Sequence, residues 1–360
     1  MKYKEPNGWV EKAFKDIAPL QRGFDLPNAK IVEGKYPVVF SNGVGAYHNE
    51  YKVKAPGVVT GRSGTIGTVT FINRNFWPHN TTLWVTDFKG NNAKFIYYLY
   101  NYIDLLKFRT GSGVPTLNRN DVHLYKISIP VDKEEQAKIA NALSDIDGLI
   151  SLLTKLIDKK KNIKQGATQQ LLTGKKRLSG FCGEWKQKTI AEVADISTGN
   201  RNTQDMVSDG VYPFFVRSQH IEHINSYSFD GEAILTAGDG VGVGKVFHYI
   251  NGKFDFHQRV YKISNFKGIN GRFFYEYFKN NFLLEVMKYT AKSSVDSVRM
   301  EMIAGMLIPV PPTLEEQTAI AQILSDMDTE IEKLNIKLNK YKDIKQGMMQ
   351  ELLTGKRRLI

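Results

Sequence analysis

Two stretches of the chain carry apolar residues at alternating spacings of four and three positions. The first stretch begins at Ile139 and the second at Ile320, and each keeps its spacing for about five helical turns. Such a stripe is typical of a helix that buries one narrow seam against another helix. The predicted seam residues are Ile139, Leu143, Ile146, Ile150, Leu153 and Ile157 in the first stretch, and Ile320, Leu324, Met327, Ile331, Leu334, Leu338 and Tyr341 in the second.

The two stretches are copies of one another. Residues 134–178 align without gaps with residues 315–359, and more than half of the aligned positions are identical. A repeat this long, spaced at about half the length of the chain, indicates a duplicated module rather than an array of short repeats. The predicted segments are a first globule over 1–128, a helix over 129–178, a second globule over 179–307 and a second helix over 308–360.

Both helices carry signals for where they begin and end. Asp132 with Glu135, and Thr313 with Glu316, have the spacing of a capping box, in which each side chain binds the backbone N–H of the other residue. A glycine follows the last apolar residues of each copy, where helices commonly end in a left-handed residue. These glycines are Gly174 and Gly355. We therefore expect two uninterrupted helices, each about 60 Å long.

The two globules are also distant copies, because Gly23 aligns with Gly199 and His79 with His257. In each globule, short runs of β-branched and aromatic residues alternate with Gly, Asn and Asp, which predicts strands and hairpins. One aromatic-rich helical stretch follows, at 95–108 and at 273–289, and we expect its aromatic residues to pack against a sheet rather than to stack on bases. The predicted fold class is α+β.

The long helices contain a few lysines in the apolar seam and one glycine each near the C-terminal end. Lys160 and Lys164 occupy seam positions, as does Lys345 in the second copy, and polar residues there commonly fix the register of two helices. Gly166 and Gly347 lie inside the helices, where each costs about 1 kcal/mol relative to alanine. We interpret them as points of close approach to the partner helix or to a docked subunit, and a simple kink is the alternative.

The overall charge favours a polyanionic partner. Lysine and arginine outnumber aspartate and glutamate by 49 to 37, which gives a formal net charge of +12 at pH 7. Phosphate contacts that release counterions suit nucleic acid, and a basic surface kept for solubility is the alternative. The single cysteine, Cys182, excludes an internal disulfide and a cysteine-based zinc site. No apolar run reaches membrane-spanning length, so we expect a cytoplasmic protein.

No catalytic arrangement is evident in the sequence. The run from Gly238 to Lys245 resembles a phosphate-binding loop, but Asp239 and Val246 replace the glycine and the hydroxyl residue that such a loop needs. The histidines show no metal-binding spacing, and there is no nucleophile elbow. The sequence therefore predicts a binding protein with no cofactor or metal of its own, rather than an enzyme.

Side chains suited to DNA are concentrated in glycine-containing loops of both globules. Arg and Lys match guanine, Asn and Gln match adenine, and Ser and Thr reach phosphates. The candidates in the first globule are Arg22, Asn42, Arg62, Ser63, His79, Asn80, Arg109, Ser112 and Asn118. Those in the second globule are Asn200, Arg201, Arg217, Ser218, Gln219, Lys245, His257, Gln258, Arg259, Lys292 and Ser293. A hydrogen-bonding role in the core is the alternative for His79 and His257.

The repeated motifs resemble those of a known family. Each copy has Pro-Val before a helix that opens with Glu-Glu-Gln, then an Ile-Lys-Gln-Gly segment and a closing Leu-Leu-Thr-Gly followed by basic residues. Over the whole chain this pattern resembles the specificity subunits of type I restriction–modification systems. The resemblance implies that the globules are target recognition domains and that the helices pack as an antiparallel coiled coil with circular pseudo-two-fold symmetry. It also implies that each globule reads one half of a split target in the major groove of double-stranded DNA.

The same resemblance implies partners. The subunit would be non-catalytic and would hold two methyltransferase subunits, which use S-adenosylmethionine to methylate adenine. Endonuclease subunits that use ATP and Mg²⁺ would join them in defence against foreign DNA. Three alternatives remain open: a coiled-coil adaptor that binds only protein, the specificity subunit of a methylation-only system, and a nuclease whose site the sequence does not reveal.

Overall fold

Both predicted long helices are present, as α-helices of 39 residues each at Lys133–Leu171 and Leu314–Leu352. The computed structural model describes residues 7–110, 115–289 and 297–360. Gly174 and Gly355 have φ values of +69° and +70° just beyond the helix ends, so the predicted left-handed endings are confirmed. In the described part of the chain, no helix is long and apolar enough to cross a membrane.

The chain forms two compact units, and each unit contains one globule. The first unit comprises Met1–Lys155 with Asn335–Ile360, and the second comprises Leu156–Leu334. Each unit therefore includes the N-terminal half of the helix that follows its globule along the chain. Each unit also includes the C-terminal part of the other long helix. The first unit contains the C-terminal part of the second long helix, and the second unit contains the C-terminal part of the first long helix.

The two helix segments of the first unit run antiparallel. Lys345 Nζ lies 2.7 Å from Asp147 Oδ1, and Arg358 Nη2 donates to Glu135 Oε2 at 2.7 Å. Residue numbers therefore fall along one segment as they rise along the other. The carboxylate of Glu135 is fully buried, so this second contact is an ion pair largely removed from water.

The second unit repeats this arrangement. Lys160 Nζ lies 2.7 Å from Glu330 Oε1, and Arg177 Nη2 donates to Glu316 Oε2 at 2.7 Å. Lys164 also binds Asp328, so both polar residues that interrupt the first seam are held by acidic residues of the second helix. The predicted antiparallel direction of the helices is thus confirmed within each unit.

The predicted seam positions lie away from solvent. Ile139, Leu143, Ile146, Leu153, Ile157, Ile320, Leu324 and Leu338 are buried, and Ile150, Met327, Ile331, Leu334 and Tyr341 are half-buried. The first turns of the helices also belong to the cores of the globules, through Ile139 in the first unit and Ile320 in the second. Packing as a regular coiled coil stays a prediction, which this burial supports.

Two details of the helices differ from the sequence expectations. The capping boxes are incomplete: Asp132 accepts from the N–H of Glu134, but Glu135 and Glu316 bind arginines instead of reaching back, because a buried carboxylate gains a charge-assisted pair there. The prediction that Gly166 and Gly347 approach the partner helix closely was wrong. Apart from the adjacent backbone of its own helix, a Cβ atom at either position would meet no atom of the described chain within 4 Å.

The described residues of the first globule form four small sheets. A four-stranded antiparallel sheet has the order Leu20–Arg22, Thr82–Val85, Gly57–Gly61 and Val69–Ile72, and a three-stranded sheet has the order Gly43–His48, Tyr36–Phe40 and Trp77–Pro78. Two-stranded sheets pair Trp9–Ala13 with Lys126–Pro130, and Arg109–Thr110 with Thr116–Leu117. The α-helices are Phe14–Ile17, Ala93–Tyr102 and Arg119–Leu124, and 3₁₀ turns span Asn28–Lys30 and Leu105–Phe108.

The described residues of the second globule form a larger sheet. Its six strands have the order Asp195–Thr198, Val260–Ser264, Phe229–Ala237, Phe247–Phe256, Tyr212–Phe215 and Glu222–Ile224, and Lys186–Thr189 pairs with Leu307–Val310. The α-helices are Ile190–Val193, Gly271–Met287 and Met300–Ala304, with 3₁₀ turns at Thr203–Asp205 and Gly240–Gly242. The predicted α+β class is confirmed.

The aromatic helices lie in the globule cores, as predicted. Phe95 and Tyr98 of the first globule are buried, as are Phe274 and Phe278 of the second. The first helix ends at Tyr102, earlier than expected. The reason is local: the Asp104 carboxylate accepts from the N–H of Leu106, which starts a separate 3₁₀ turn.

A glutamine of each long helix fastens the neighbouring globule. Gln136 accepts from the N–H of Asn92 at 2.9 Å and donates to the carbonyl of Pro130 at 2.8 Å. Gln317 makes the same pair of bonds, with Asn270 at 2.7 Å and Pro311 at 3.1 Å. The repeated Glu-Glu-Gln motif therefore joins each helix to a globule, which explains why it occurs twice.

Candidate nucleic-acid interface

A histidine organises the loops at the same place in each globule. The N–H of His79 donates to the carbonyl of Val39 at 2.9 Å, and the N–H of His257 donates to that of Phe215 at 2.9 Å. Each ring accepts at Nδ1 from a backbone N–H two residues further on, at 3.3 Å for His79 and 3.0 Å for His257. Burial lowers the pKa of both histidines, which favours the neutral ring that this acceptor role needs. These contacts support the alternative of a hydrogen-bonding role.

A glycine allows a strand to pass close to each histidine. A Cβ atom at Gly23 would come within 2.2 Å of the His79 carbonyl oxygen, and one at Gly199 within 2.0 Å of the Phe256 carbonyl oxygen. No side chain fits at either position. The two globules therefore share this backbone arrangement around the histidine, and the side chains carried on it differ.

In the second globule, two predicted DNA-binding arginines meet on one carboxylate. Arg217 Nη1 donates to Asp239 Oδ1 at 2.7 Å, and Arg259 Nη1 donates to Asp239 Oδ2 at 2.7 Å. Burial by itself raises the pKa of the Asp239 carboxyl, but the hydrogen bonds from the two arginines outweigh it, so that the pKa is lowered. The arginine side chains are 46% and 61% exposed, whereas that of Asp239 is 17% exposed. The cluster thus presents two fixed cations to solvent.

The cluster separates two open cavities of the second globule. One, of about 290 Å³, is lined by Asp239, Gln258 and Arg259 among others. The other, of about 400 Å³, is lined by Arg217, Ser218 and Asp239, and by Val241, whose side chain is 94% exposed. The first cavity is walled mainly by polar groups, whereas Val216 and Val241 add apolar surface to the second.

The other candidates of the second globule divide into accessible and engaged side chains. Asn200, Gln219 and Lys245 are exposed. Gln258 is exposed and donates to Asn202 at 2.6 Å. Arg201 is engaged: it donates to the fully buried carboxylate of Asp255 at 3.1 Å, which favours a structural role.

In the first globule, the candidates gather around a different acid. Arg22 Nη2 donates to Asp25 Oδ1 at 2.9 Å, and Asn80 donates to the same oxygen. A cavity of about 650 Å³ is lined by Ser41, Asn42 and Thr81 among others. The lining of this cavity offers hydroxyl and amide groups, whereas the cavities of the second globule offer guanidinium groups.

The remaining candidates of the first globule are placed less favourably for a common surface. Arg62 and Ser63 are half-buried beside the strand end at Gly61, and Arg109 is exposed. Asn118 caps a helix by accepting from the N–H of Asn120, so its side chain already has a structural partner. Ser112, Lys292 and Ser293 lie outside the described residues.

Sequence reasoning missed the acidic residues that hold the arginines. Asp25, Asp239 and Asp255 each bind at least one predicted arginine, yet carboxylates repel phosphate and were not counted as part of a DNA surface. A signal existed for Asp239, since it replaces a glycine in a glycine-rich loop. In the described ranges, no group of three or more His, Cys, Asp or Glu side chains is arranged to hold a metal ion.

Comparison with known proteins identifies the family. A family model described as "Type I restriction modification DNA specificity domain" matches residues 6–164 and 183–340. The chain belongs to this family. The family resemblance drawn from the repeated motifs is therefore confirmed, and each match covers one globule and most of the long helix that follows it.

Curated relatives of this type I specificity family are distant in sequence. The "Type I restriction enzyme MjaVIII specificity subunit" of Methanocaldococcus jannaschii is 26% identical over 288 residues, which is 71% of this chain and 67% of that subunit. The "Type I restriction enzyme EcoDI specificity subunit" of Escherichia coli is 29% identical over 171 residues, which is 48% of this chain and 37% of that subunit. The second match thus spans well under two thirds of its relative's length.

Solved structures share the fold over nearly the whole chain. A crystal structure of the S subunit of a type I restriction–modification system from M. genitalium has a TM-score of 0.73 at 17% identity, and the match covers 98% of both chains. A chain from a structural study of type I complex assembly and conformational transition has a TM-score of 0.58 at 14% identity, covering 98% of this chain and 99% of that one. At these identities the likeness concerns the fold.

Proposed function

We propose that this chain is the DNA sequence-recognition subunit of a type I restriction–modification complex and reads a two-part target with a fixed spacer. The observation that carries this proposal is the pair of globules, which share a backbone framework built on His79 and His257 but present different side chains on it. Two copies of one scaffold with different surfaces suit two different half-sites. The net charge of +12 supports a DNA partner.

The proposed role is non-catalytic. Two methyltransferase subunits, which use S-adenosylmethionine, and endonuclease subunits, which use ATP and Mg²⁺, would dock on the chain and act in the cytoplasm on the DNA that it selects. Apolar side chains on the long helices support docking: Leu152 and Ile336 of the first unit are 66% and 63% exposed. Such residues are available to a partner subunit without any rearrangement of the seam.

Mapping of modified adenines tests the proposal directly. The chain is co-expressed with its methyltransferase partner in cells that lack adenine methylation, and the methylated adenines are located by sequencing. We expect a motif of two short defined blocks separated by a constant number of unspecified bases. A single continuous motif would contradict the two-part reading.

The alternative of a protein-binding adaptor makes a different prediction. A subunit that contacts phosphates loses DNA affinity steeply as salt rises, with a slope that counts the contacts. An adaptor shows no salt-sensitive affinity for duplex DNA.

The alternative of a nuclease is tested by incubating the purified chain with duplex DNA and Mg²⁺, where we expect no cleavage. A methylation-only system is recognised by the absence of restriction of unmodified DNA in the host.

A further inference from the structure

Three side-chain positions occupy the same place in both globules. The third position follows the organising histidine by two residues and donates its N–H to that ring. The first position lies two residues beyond the carbonyl that accepts the histidine N–H. The second forms a bridge at the end of an inner strand, to Thr116 in one globule and to Ser297 in the other. The sets are Ser41, Ser63 and Thr81 in the first globule, and Arg217, Asp239 and Arg259 in the second.

The correspondence rests on backbone hydrogen bonds as well as on sequence order. Leu117 donates to the carbonyl of Arg62 at 2.7 Å, directly before the second position of the first globule. Val298 donates to the carbonyl of Gly238 at 2.8 Å, directly before the second position of the other globule. The same backbone sites thus carry three small hydroxyl residues in one globule and an Arg–Asp–Arg cluster in the other.

The contacts with Asp239 leave the Nε and Nη2 atoms of each arginine available to a ligand. A guanidinium has five N–H donors, and Asp239 takes an Nη1 donor from each. Among the described residues, the Nε and Nη2 atoms of Arg217 and Arg259 have no hydrogen-bond acceptor. An edge of this kind matches the O6 and N7 atoms of guanine in the major groove, and this is the commonest base-specific contact of arginine.

We propose that Arg217 and Arg259 read guanine in the half-site of the second globule, and that Asp239 is the positioning residue that orients both. The inference rests on the proposed function and names its base specificity. A carboxylate repels phosphate, so the half-buried Asp239 between two arginines suits a role in orienting their guanidinium groups. In the first globule, Ser41, Ser63 and Thr81 cannot make this guanine contact, so its half-site has no guanine requirement at the corresponding position.

Base substitution in the target tests the inference. The chain in complex with its methyltransferase partner binds duplexes that carry the mapped motif, with each base pair of the half-site replaced in turn. We expect a guanine requirement in the second globule's half-site. Arg217→Gln and Arg259→Gln should each reduce discrimination for a guanine by roughly 5- to 150-fold and leave the other half-site unchanged.

Asp239→Asn separates positioning from charge. The variant keeps the shape of the side chain but removes the anion that fixes both arginines. We expect discrimination at the guanines to fall while affinity for unrelated duplex DNA stays equal or rises, because a negative charge has been lost. A purely structural role would lower both together. Lys267→Gln is the control, since this lysine is 67% exposed and pairs with Asp195 outside the cluster.

The outcomes distinguish this inference from the proposed function. If the arginine variants keep the motif but weaken binding to all sequences and lower the salt slope by about one each, the arginines contact phosphates and the inference fails while the function stands. If the unmodified complex shows no sequence preference, the proposed function fails as well. The triple variant Arg217→Ser, Asp239→Ser and Arg259→Thr guards against misfolding, because it installs the neutral set that the first globule already accommodates. A retained guanine requirement in that variant also overturns the inference.

Discussion

At the scale of single residues, a buried ion pair joins the segment that follows each long helix to the first turn of the other long helix. Arg358 pairs with Glu135 and Arg177 with Glu316, and both carboxylates have no exposed side-chain surface. Arg358 and Arg177 also donate to a neighbouring backbone carbonyl, of Asn7 and Gly183 respectively. The basic residues that close each repeat are therefore partly structural.

Arg358→Ala should destabilise the protein by about 3 kcal/mol or more, because it leaves a buried carboxylate without its cation. Arg357→Ala is the matched control, because Arg357 pairs with Glu351 and these two side chains are 71% and 49% exposed. A surface pair of this kind contributes about 0–1 kcal/mol. Denaturant unfolding of the two variants measures the difference. Equal unfolding free energies would show that the Glu135 pair is not the attachment described.

A second residue-scale prediction concerns pH. Burial lowers the pKa of His248 below 6.5, although its hydrogen bond to the carbonyl of Ser218 acts in the opposite direction. The unfolded chain therefore takes up a proton more readily than the folded one, and folding stability falls as pH drops below 6.5. His248→Gln keeps a donor for that carbonyl and cannot titrate, so its loss of stability between pH 7.5 and 5.5 should be smaller than in the unmodified chain. Identical losses in denaturant titrations would contradict this.

The sequence predicts residue types on a surface better than it predicts their partners. Arg201, Arg217 and Arg259 look alike in sequence, yet Arg201 binds the buried Asp255 whereas the other two share the half-buried Asp239. Such pairings join residues that are 20 or more positions apart in the chain. Their geometry depends on strand register, which apolar patterns in short irregular strands do not fix.

At the scale of elements, alternation of apolar residues predicts which face of each long helix is buried. Leu153 is 6% exposed and its neighbour Leu152 is 66% exposed on the same helix. Leu153→Asp places an unpaired charge at a buried position and should lower stability by several kcal/mol, on the order of 3. Leu152→Asp is the matched control and should change stability by about 0.5 kcal/mol or less.

Thermal unfolding of the purified full chain, without partner subunits, measures both leucine variants. Equal effects would mean that the helices do not bury the predicted seam. We also expect Leu334→Asp to destabilise the second unit, although less than Leu153→Asp, because Leu334 is only half-buried.

The long helices could be predicted closely because their signal is repeated and local. Periodic apolar residues and the terminal Gly174 and Gly355 placed both helices and their ends. The globule elements were less predictable, since their side chains act over distance. Asp104 starts a separate 3₁₀ turn, so the aromatic helix ends earlier than predicted. Glu135 pairs with Arg358, which is distant in sequence, instead of completing the predicted capping box. Local spacing carries no information on such competing partners.

At the scale of the whole molecule, duplication links the sequence to the proposed function. Each globule is bonded to the long helix that follows it through a repeated glutamine, Gln136 in the first copy and Gln317 in the second. Glu135 and Glu316 of the same helices pair with the arginine that follows the other long helix. The exposed side chains on the shared framework are free to differ, because neither contact involves them. A globule should therefore be exchangeable without disturbing the other.

The exchange of one globule tests the central claim most directly. Residues 1–128 are replaced by the corresponding globule of another family member, and modified adenines are mapped in cells that express the hybrid with the methyltransferase partner. The account predicts that one block of the two-part motif changes while the other block is retained. Replacement of both blocks, or of neither, would contradict the claim that each globule reads its own half of the target.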